Sequence, residues 1–146
     1  MHILFVCHAD VGRSQVAQVY FDQLSRHLSD SAGIAVDALM AKRNLRSRKL
    51  KDAPGRAAAY IRECIRQACG VDIAEKERQQ LTPAMVDAAD VIVVIAEKER
   101  WPAYLQEGGK VVFWDIPDGA GQEDAFVYDV FTQVRRRVEQ LVADIG

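Results

Sequence analysis

The fold is decided by residues 2–17, which read HILFVCHADVGRSQVA. The segment opens with a largely apolar run rich in β-forming residues, and a short loop containing Gly12 interrupts that run. From Ser14 to Leu28 apolar residues recur every three or four positions, which predicts an amphipathic helix that ends near Ser29 and Asp30. The segment therefore predicts a buried strand, a tight loop and a helix.

The rest of the chain continues this alternation of strands and helices. Further predicted elements are a short strand in Gly33–Met40, helices at about Ala57–Ala68 and after Thr82, strands at Val91–Ile95 and Val111–Trp114, and a last helix from about Gln122. Val91–Ile95 is apolar at every position, which is typical of a parallel strand covered on both faces. We expect one α/β domain over residues 1–146, with three layers and a mostly parallel four-stranded sheet flanked by helices.

Composition narrows the classes of protein to which the chain belongs. It has 146 residues, 49% of them hydrophobic, and a formal net charge of −2. A chain of this length buries about 70% of its unfolded surface, so a core forms without disulfides or a metal. The near-neutral charge argues against bulk nucleic-acid or membrane-surface binding, and no apolar run approaches the roughly 18 residues of a membrane span. Three cysteines without a Cys-x-x-Cys pair suit a reducing compartment, so we expect a cytoplasmic protein with free thiols.

One segment departs from this balance. Residues 42–51 read KRNLRSRKLK, and six of these ten are basic. Such a run is typical of a solvated loop, and it is the sequence's one feature that resembles a nucleic-acid or polyanion contact. Two interpretations stay open, a solvated loop and a surface that recruits an anionic substrate or partner.

The loop after the first strand is where chemistry is expected, because ligands of α/β sheets bind beyond the carboxyl ends of the strands. The loop and its flanks consist of Cys7, His8, Ala9, Asp10, Val11, Gly12, Arg13 and Ser14. Successive backbone N–H groups and a helix N-terminus make such a loop a cradle for an oxyanion, and their field favours a thiolate at Cys7. We predict that residues 8–14 bind phosphate.

The side chains at the ends of this loop indicate a nucleophilic site. Arg13 supplies a planar, permanently charged fork that matches two oxygens of a tetrahedral oxyanion, and Ser14 can hydrogen-bond the Cys7 thiolate. The combination suits attack on phosphorus or arsenic. No His or Cys partner lies at ligand spacing, so the sequence predicts no metal site, and no cofactor is expected.

The loop resembles a known phosphate-binding loop. Residues Phe5–Cys7 and Arg13–Ala17 resemble that of the low-molecular-weight protein tyrosine phosphatase and arsenate reductase superfamily. Further segments that resemble the superfamily are Ser31–Gly33, Gly70–Ile73, Gln80–Thr82 and Ala89–Val93. The resemblance covers most of the chain except the basic segment 42–51.

The resemblance implies a cysteine-dependent phosphatase. Cys7 would displace the leaving group in line, and a cysteinyl-phosphate intermediate would then be hydrolysed without a metal. The superfamily uses a late aspartate, normally followed by proline, as the general acid. This chain has no Asp-Pro, and its register favours Asp118 over Asp115. The substrate would be phosphotyrosine or another phosphomonoester, and a phosphoprotein is one candidate partner.

Departures from the superfamily pattern keep other functions open. Ala9 and Asp10 stand where the loop usually has Gly-Asn, and a carboxylate there either repels the bound anion or supports the loop. The aromatic walls of a phosphotyrosine slot are missing, and Trp114 and Phe126 are expected in the core. An arsenate reductase that uses an external small thiol, a non-catalytic anion-binding module and a sugar-transport phosphocarrier are the alternatives.

Overall fold

The computed structural model describes all residues, 1–146. Its strands are β1 (His2–Cys7), β2 (Leu28–Gly33), β3 (Val91–Val94) and β4 (Val111–Phe113). Its α-helices are α1 (Arg13–Leu24), α2 (Val36–Lys42), α3 (Arg56–Cys69), α4 (Pro83–Ala88) and α5 (Asp124–Ile145), with short 3-10 turns at Leu50–Asp52 and Lys98–Arg100.

The four strands form one parallel sheet in the order β2-β1-β3-β4. Alternate residues of β1 serve opposite faces, as the period of two requires. Ile3 and Phe5 join a core cluster built from α1, α3 and α5, whereas Leu4 and Val6 join a second cluster that includes Val86 of α4. The predicted parallel sheet flanked by helices is therefore confirmed.

The prediction around the second strand is wrong in position. Gly33–Met40 is not a strand, because β2 occupies Leu28–Gly33 and a helix, α2, begins at Val36. The sequence of β2 is mostly polar, and Leu28 is 72% exposed, so this edge strand is held by its pairing with β1 rather than by apolar periodicity. Val36 and Met40 are both buried, one helical turn apart. Because β2 already begins at Leu28, α1 ends at Leu24 rather than near residues 29 and 30.

Other boundaries agree with the sequence to within a few residues. Helix α3 ends at Cys69, and Gly70 caps it with a left-handed backbone (φ 70°). The Thr82 hydroxyl accepts a hydrogen bond from the N–H of Met85 and so caps α4. Strands β3 and β4 each end one residue earlier than predicted. None of the helices combines the length and the apolarity that crossing a lipid bilayer requires.

A glycine brings β2 close to the loop that follows β1. A Cβ added to Gly33 would lie 2.7 Å from the backbone nitrogen of Asp10 and 2.8 Å from the carbonyl carbon of Ala9. Gly33 also accepts the N–H of Leu81 and donates to the carbonyl of Gln79. The loop is therefore fixed between β1, the end of β2 and the segment at residues 79–81.

Candidate active site

The loop between β1 and α1 offers unused backbone donors. No backbone N–H from His8 to Gly12 donates a hydrogen bond to any protein acceptor. The loop ends at the N-terminus of α1, where Gly12 occupies the cap position with no side-chain cap. Free N–H groups and the positive end of a helix dipole together attract an anion.

Cys7 lies at the end of β1 at the base of this loop. Its side chain is buried, and its Sγ lies 3.0 Å from the hydroxyl of Ser14 in the first turn of α1. Cys7 also lines a cavity of about 490 Å³. The thiol is thus accessible from the cavity and positioned by α1.

Asp10 supports the loop from behind. It is fully buried, has a left-handed backbone (φ 54°) and does not line the cavity. Its carboxylate accepts hydrogen bonds from the Ser14 hydroxyl (2.6 Å) and from the N–H of Gln79 (2.9 Å), and its carbonyl accepts one from the Gln15 side chain. The sequence left two roles open for Asp10, repelling the anion or supporting the loop. The geometry shows support of the loop, and the backbone N–H that Asp10 binds, that of Gln79, lies outside the loop.

Burial also changes the proton affinity of Asp10. It raises the pKa of Asp10 to about 6, although the hydrogen bonds from Ser14 and Gln79 and the nearby charge of Lys76 favour the charged form. Asp10 therefore changes protonation state near pH 6, within the pH range in which a thiol can act as a nucleophile.

Ser14 connects Asp10 with Cys7 through a single hydrogen. Its hydroxyl contacts both Asp10 and Cys7, but it has only one proton to donate. When Asp10 is charged, it accepts the hydrogen bond of the Ser14 hydroxyl. The Ser14 oxygen can then accept a hydrogen bond from the Cys7 thiol. A neutral Asp10 donates instead, and the Ser14 hydroxyl is free to donate to a Cys7 thiolate. The predicted contact between Ser14 and Cys7 is present, and its direction depends on Asp10.

Arg13 is buried and anchored at one end of its guanidinium. Its Nη1 donates to the carbonyls of Ile95 (2.6 Å) and Ile116 (2.9 Å) and to the carboxylate of Glu97 (3.1 Å). Nε and Nη2 make no hydrogen bond, and Arg13 lines the cavity beside Cys7. This leaves the Nε/Nη2 edge of the fork available for two oxygens of an oxyanion.

Asp118 lies beside Arg13 at the cavity, whereas Asp115 lies outside the cavity. The Asp118 carboxylate is 3.7 Å from Nη2 of Arg13, is 42% exposed, and accepts a hydrogen bond from the N–H of Ala120. Asp118 lines the cavity, whereas Asp115 is exposed outside it. The structure thus brings together the two residues that sequence reasoning placed with Cys7.

The cavity beyond the loop has aliphatic walls. Leu39, Leu45, Ile61, Val127 and Val130 are among its lining residues, and none of the lining residues is Phe, Tyr or Trp. The expectation that aromatic walls are missing agrees with this lining. Of the two aromatic residues expected in the core, Trp114 is 5% exposed and lies there, but Phe126 is 37% exposed on α5, so its assignment to the core is wrong.

The remaining loop residues also face the cavity. His8, Ala9, Val11 and Gly12 line it, whereas the side chains of Asp10 and Ser14 lie behind the loop. Burial lowers the pKa of His8, and the positive charge of Arg100 lowers it further. The permanent positive charges at the cavity are those of its arginines.

Sequence reasoning missed Arg78, Glu97 and Gln79. Arg78 is 4% exposed, lines the cavity and donates from Nε to the carbonyl of Ala9 (3.1 Å). Glu97 holds Arg13, and Gln79 holds Asp10. All three contacts join residues more than 65 positions apart, so no local motif reveals them. Arg78 stands at the end of the charged run Glu75–Arg78, so nothing in the sequence sets it apart.

The other cysteines do not line the cavity that contains Cys7. Cys64 is buried and Cys69 half-buried on α3, and burial raises the pKa of both thiols. All three cysteines are free. The burial of Cys64 and Cys69 on α3, away from that cavity, is typical of structural thiols.

The basic segment 42–51 is divided in its contacts. Arg48 pairs with Asp37, and Lys49 and Lys51 pair with Glu75. Lys42, Arg43 and Arg46 form no ion pair, and Arg43 alone of the segment's basic residues lines the cavity. Half of the basic residues therefore have structural partners, and one faces the candidate site.

Several solved structures have a fold similar to that of this chain. Wzb from Vibrio vulnificus, solved with benzylphosphonate, matches with a TM-score of 0.73 and 22% identity over 98% of this chain and 97% of its own. The YwlE arginine phosphatase from Geobacillus stearothermophilus matches with a TM-score of 0.71 and 18% identity over 99% of this chain and 92% of its own. An arsenate reductase from Archaeoglobus fulgidus matches with a TM-score of 0.58 and 23% identity over 97% and 98%.

Comparisons of the sequence alone give no relative. No family model matches the chain, and no curated protein matches it either. The solved neighbours include low-molecular-weight tyrosine phosphatases and arsenate reductases, as the loop after β1 predicted. The chain has the fold that these two groups of enzymes share.

Proposed function

We propose that the chain is a cysteine-dependent phosphatase that hydrolyses a phosphomonoester through Cys7. The observation that carries the proposal is the ring of unused N–H donors from His8 to Gly12 beside a cavity-facing thiol at the start of α1. Backbone donors that are already in place stabilise the charge of the phosphoryl group in the transition state, because they need not reorganise. The similarity to known phosphatases supports the same chemistry.

In the first step the Cys7 thiolate attacks phosphorus in line. The S–P bond forms as the P–O bond to the leaving group breaks, and Asp118 donates its proton to the departing oxygen. The free Nε/Nη2 edge of Arg13 binds two non-bridging oxygens, and the loop N–H groups bind the phosphoryl oxygens. The position of Asp118 beside Arg13, partly exposed to solvent, supports this role.

In the second step water hydrolyses the cysteinyl phosphate. Asp118, now charged, accepts a proton from water as the oxygen attacks phosphorus, and the S–P bond breaks to release phosphate and the Cys7 thiolate. No electrons are gained or lost over the cycle. The step therefore requires neither Cys64 nor Cys69.

The test is hydrolysis of para-nitrophenyl phosphate between about pH 5 and 7.5, with vanadate as a competitor. We expect the wild type to turn over, Cys7→Ser to be inactive, and Cys64→Ser, the matched control for a buried thiol, to keep its activity. Asp118→Asn should lower kcat, with a smaller loss for Asp115→Asn. Turnover that survives Cys7→Ser contradicts the proposal.

The same assay separates the alternatives. If the wild type does not hydrolyse the ester but still binds phosphate or vanadate, arsenate reduction with an external thiol becomes the next function to test. Reduction would consume the Cys7 thiol and need a small thiol supplied from outside, because no second cysteine lines the cavity. Binding with neither activity would indicate an anion-binding module.

A further inference from the structure

Arg78 is a buried cation without an ionic partner. Its guanidinium donates from Nε to the carbonyl of Ala9, and Nη1 and Nη2 donate to nothing in the protein. No carboxylate forms an ion pair with it, although it is 4% exposed. A buried charge without an ion-pair partner is costly, and an anion that binds beside it lowers that cost.

Charges of both signs lie near Arg78. Burial lowers the pKa of Arg78, Asp10 and Cys7 favour its charged form without forming an ion pair with it, and Arg48 and Arg43 oppose that form. Three arginines, Arg13, Arg43 and Arg78, line the cavity against one carboxylate, that of Asp118. Asp118 lies beside Arg13, and no carboxylate forms an ion pair with Arg43 or Arg78.

The reacting phosphate does not account for this pair. The loop N–H groups and the free edge of Arg13 already provide its donors. Arg43, at the end of α2, forms no ion pair and lines the same cavity as Arg78 together with Leu39 and Leu45. The cavity therefore contains a second cationic patch, formed by Arg43 and Arg78, with aliphatic walls beside it.

We propose that Arg43 and Arg78 bind a second anionic group on the substrate, so that the enzyme acts on an aliphatic phosphomonoester that carries another phosphate or a carboxylate. The inference rests on the proposed function, because it assigns the reacting phosphate to the Cys7 loop. The absence of Phe, Tyr and Trp from the lining favours an aliphatic linker over the ring of phosphotyrosine. Of the basic segment, Arg43 alone takes part in this recognition.

The test compares the binding of three probes by calorimetry. They are n-butyl phosphate, butane-1,4-diol bisphosphate and 4-(phosphonooxy)butanoate, which share one linker and differ in the second group. The titrations use the Cys7→Ser protein, in which the ester persists. We expect the bisphosphate to bind about tenfold more tightly than n-butyl phosphate, since each charge-assisted hydrogen bond is worth about that factor. A gain for the carboxylate as well assigns a general anion site, and a gain for the bisphosphate alone assigns a second phosphate.

Two variants and a control locate the site. Arg43→Gln and Arg78→Gln should each remove most of the gain while n-butyl phosphate keeps its affinity within about twofold. Arg43 is exposed and does not touch the loop, so its variant remains informative if Arg78→Gln disturbs Ala9. Arg26→Gln, an exposed arginine outside the cavity, should change nothing.

Equal affinities for the three probes overturn the proposal. So does a loss for Arg78→Gln that is the same for n-butyl phosphate and the bisphosphate, because Arg78 would then serve the reacting phosphate. Failure of the proposed function shows itself separately, as absence of Cys7-dependent turnover in the para-nitrophenyl phosphate assay, while the binding comparison keeps its own result.

Discussion

At the scale of single residues, the direction of one hydroxyl proton decides how Cys7, the proposed nucleophile, is held. Ser14 lies between Asp10 and Cys7, and Asp10 determines which of them receives its hydrogen. When Asp10 is charged, a Cys7 thiolate faces a hydroxyl oxygen whose proton points away. Asp10 is therefore a positioning residue that acts on the thiolate through Ser14.

We expect Asp10→Asn to raise kcat/KM above about pH 6, where Asp10 is charged in the wild type. The amide oxygen of Asn can accept the Gln79 N–H while its NH₂ donates to Ser14, which leaves the Ser14 hydrogen for the thiolate. The measurement is the pH profile of ester hydrolysis for both proteins, with Ser14→Ala as the comparison that removes the relay. Lower activity of the variant at every pH would contradict this assignment.

The same carboxyl group makes stability depend on pH. Its pKa is about 6 in the folded protein and 3.8 as its ordinary value, so the folded state binds the proton more tightly. Its favourable contribution is complete below about pH 3.8 and is lost as pH rises through 6, which amounts to about 3 kcal/mol.

Urea unfolding between pH 4 and 7 in phosphate-free buffer checks this contribution. The free energy of unfolding of the wild type should fall relative to that of Asp10→Asn as pH rises, and it should level off above pH 6. Parallel curves for the two proteins would show that Asp10 keeps an ordinary pKa.

Part of the site was predictable from the sequence because its residues are neighbours in the chain. Cys7, Arg13 and Ser14 belong to one short loop, and the strand and helix on either side determine where it lies. Arg78 and Gln79 reach the same loop from 69 residues away, which only the folded chain reveals. The protonation state of Asp10 depends on that same burial and so was equally hidden.

At the scale of elements, the end of β2 limits how the loop is shaped. Gly33 leaves the space that the backbone of Ala9 and Asp10 occupies, and its own hydrogen bonds tie the loop to residues 79 and 81. A side chain at this position has to displace backbone, which does not yield as a flexible side chain does.

We expect Gly33→Ala to destabilise the protein by about 1–3 kcal/mol and to lower kcat, because the added methyl group pushes against the loop. Thermal unfolding and ester hydrolysis measure the two effects. Leu28→Ala on the same strand is the control, and its exposed side chain predicts a change of within about 0.5 kcal/mol. An unchanged kcat for Gly33→Ala would mean that the loop tolerates the displacement.

Elements that bury a regular apolar pattern were predictable, and those fixed by pairing were not. Strand β3 is apolar throughout, and helix α5 follows a helical hydrophobic period, with Val134 and Val138 fully buried. Strand β2 is polar and forms because β1 offers it unpaired backbone groups, a tertiary effect that local propensity does not contain. The strand predicted in Gly33–Met40 does not form, because pairing with β1 places β2 at Leu28–Gly33.

At the scale of the whole molecule, one core cluster connects β1 with α1, α3 and α5. Phe131 of α5 is 1% exposed within it, whereas Phe126 on the same helix is 37% exposed. The two phenylalanines are a matched pair for testing where the core ends.

We expect Phe131→Ala to cost about 3–5 kcal/mol of unfolding free energy, because it leaves a cavity in the cluster. Phe126→Ala should cost less than about 1 kcal/mol, since its ring is partly in water already. Urea denaturation followed by circular dichroism gives both values. Similar losses for the two variants would return Phe126 to the core.

Arg78 also has a consequence for protein engineering. A buried guanidinium without an ion-pair partner lowers the stability of the free protein, so a variant with methionine, a side chain of similar length, at that position should melt at a higher temperature. A library screened for heat resistance alone would enrich such a replacement, whereas a screen run with a dianionic inhibitor would retain the arginine. The same position would thus distinguish variants selected for robustness from those selected for ligand recognition.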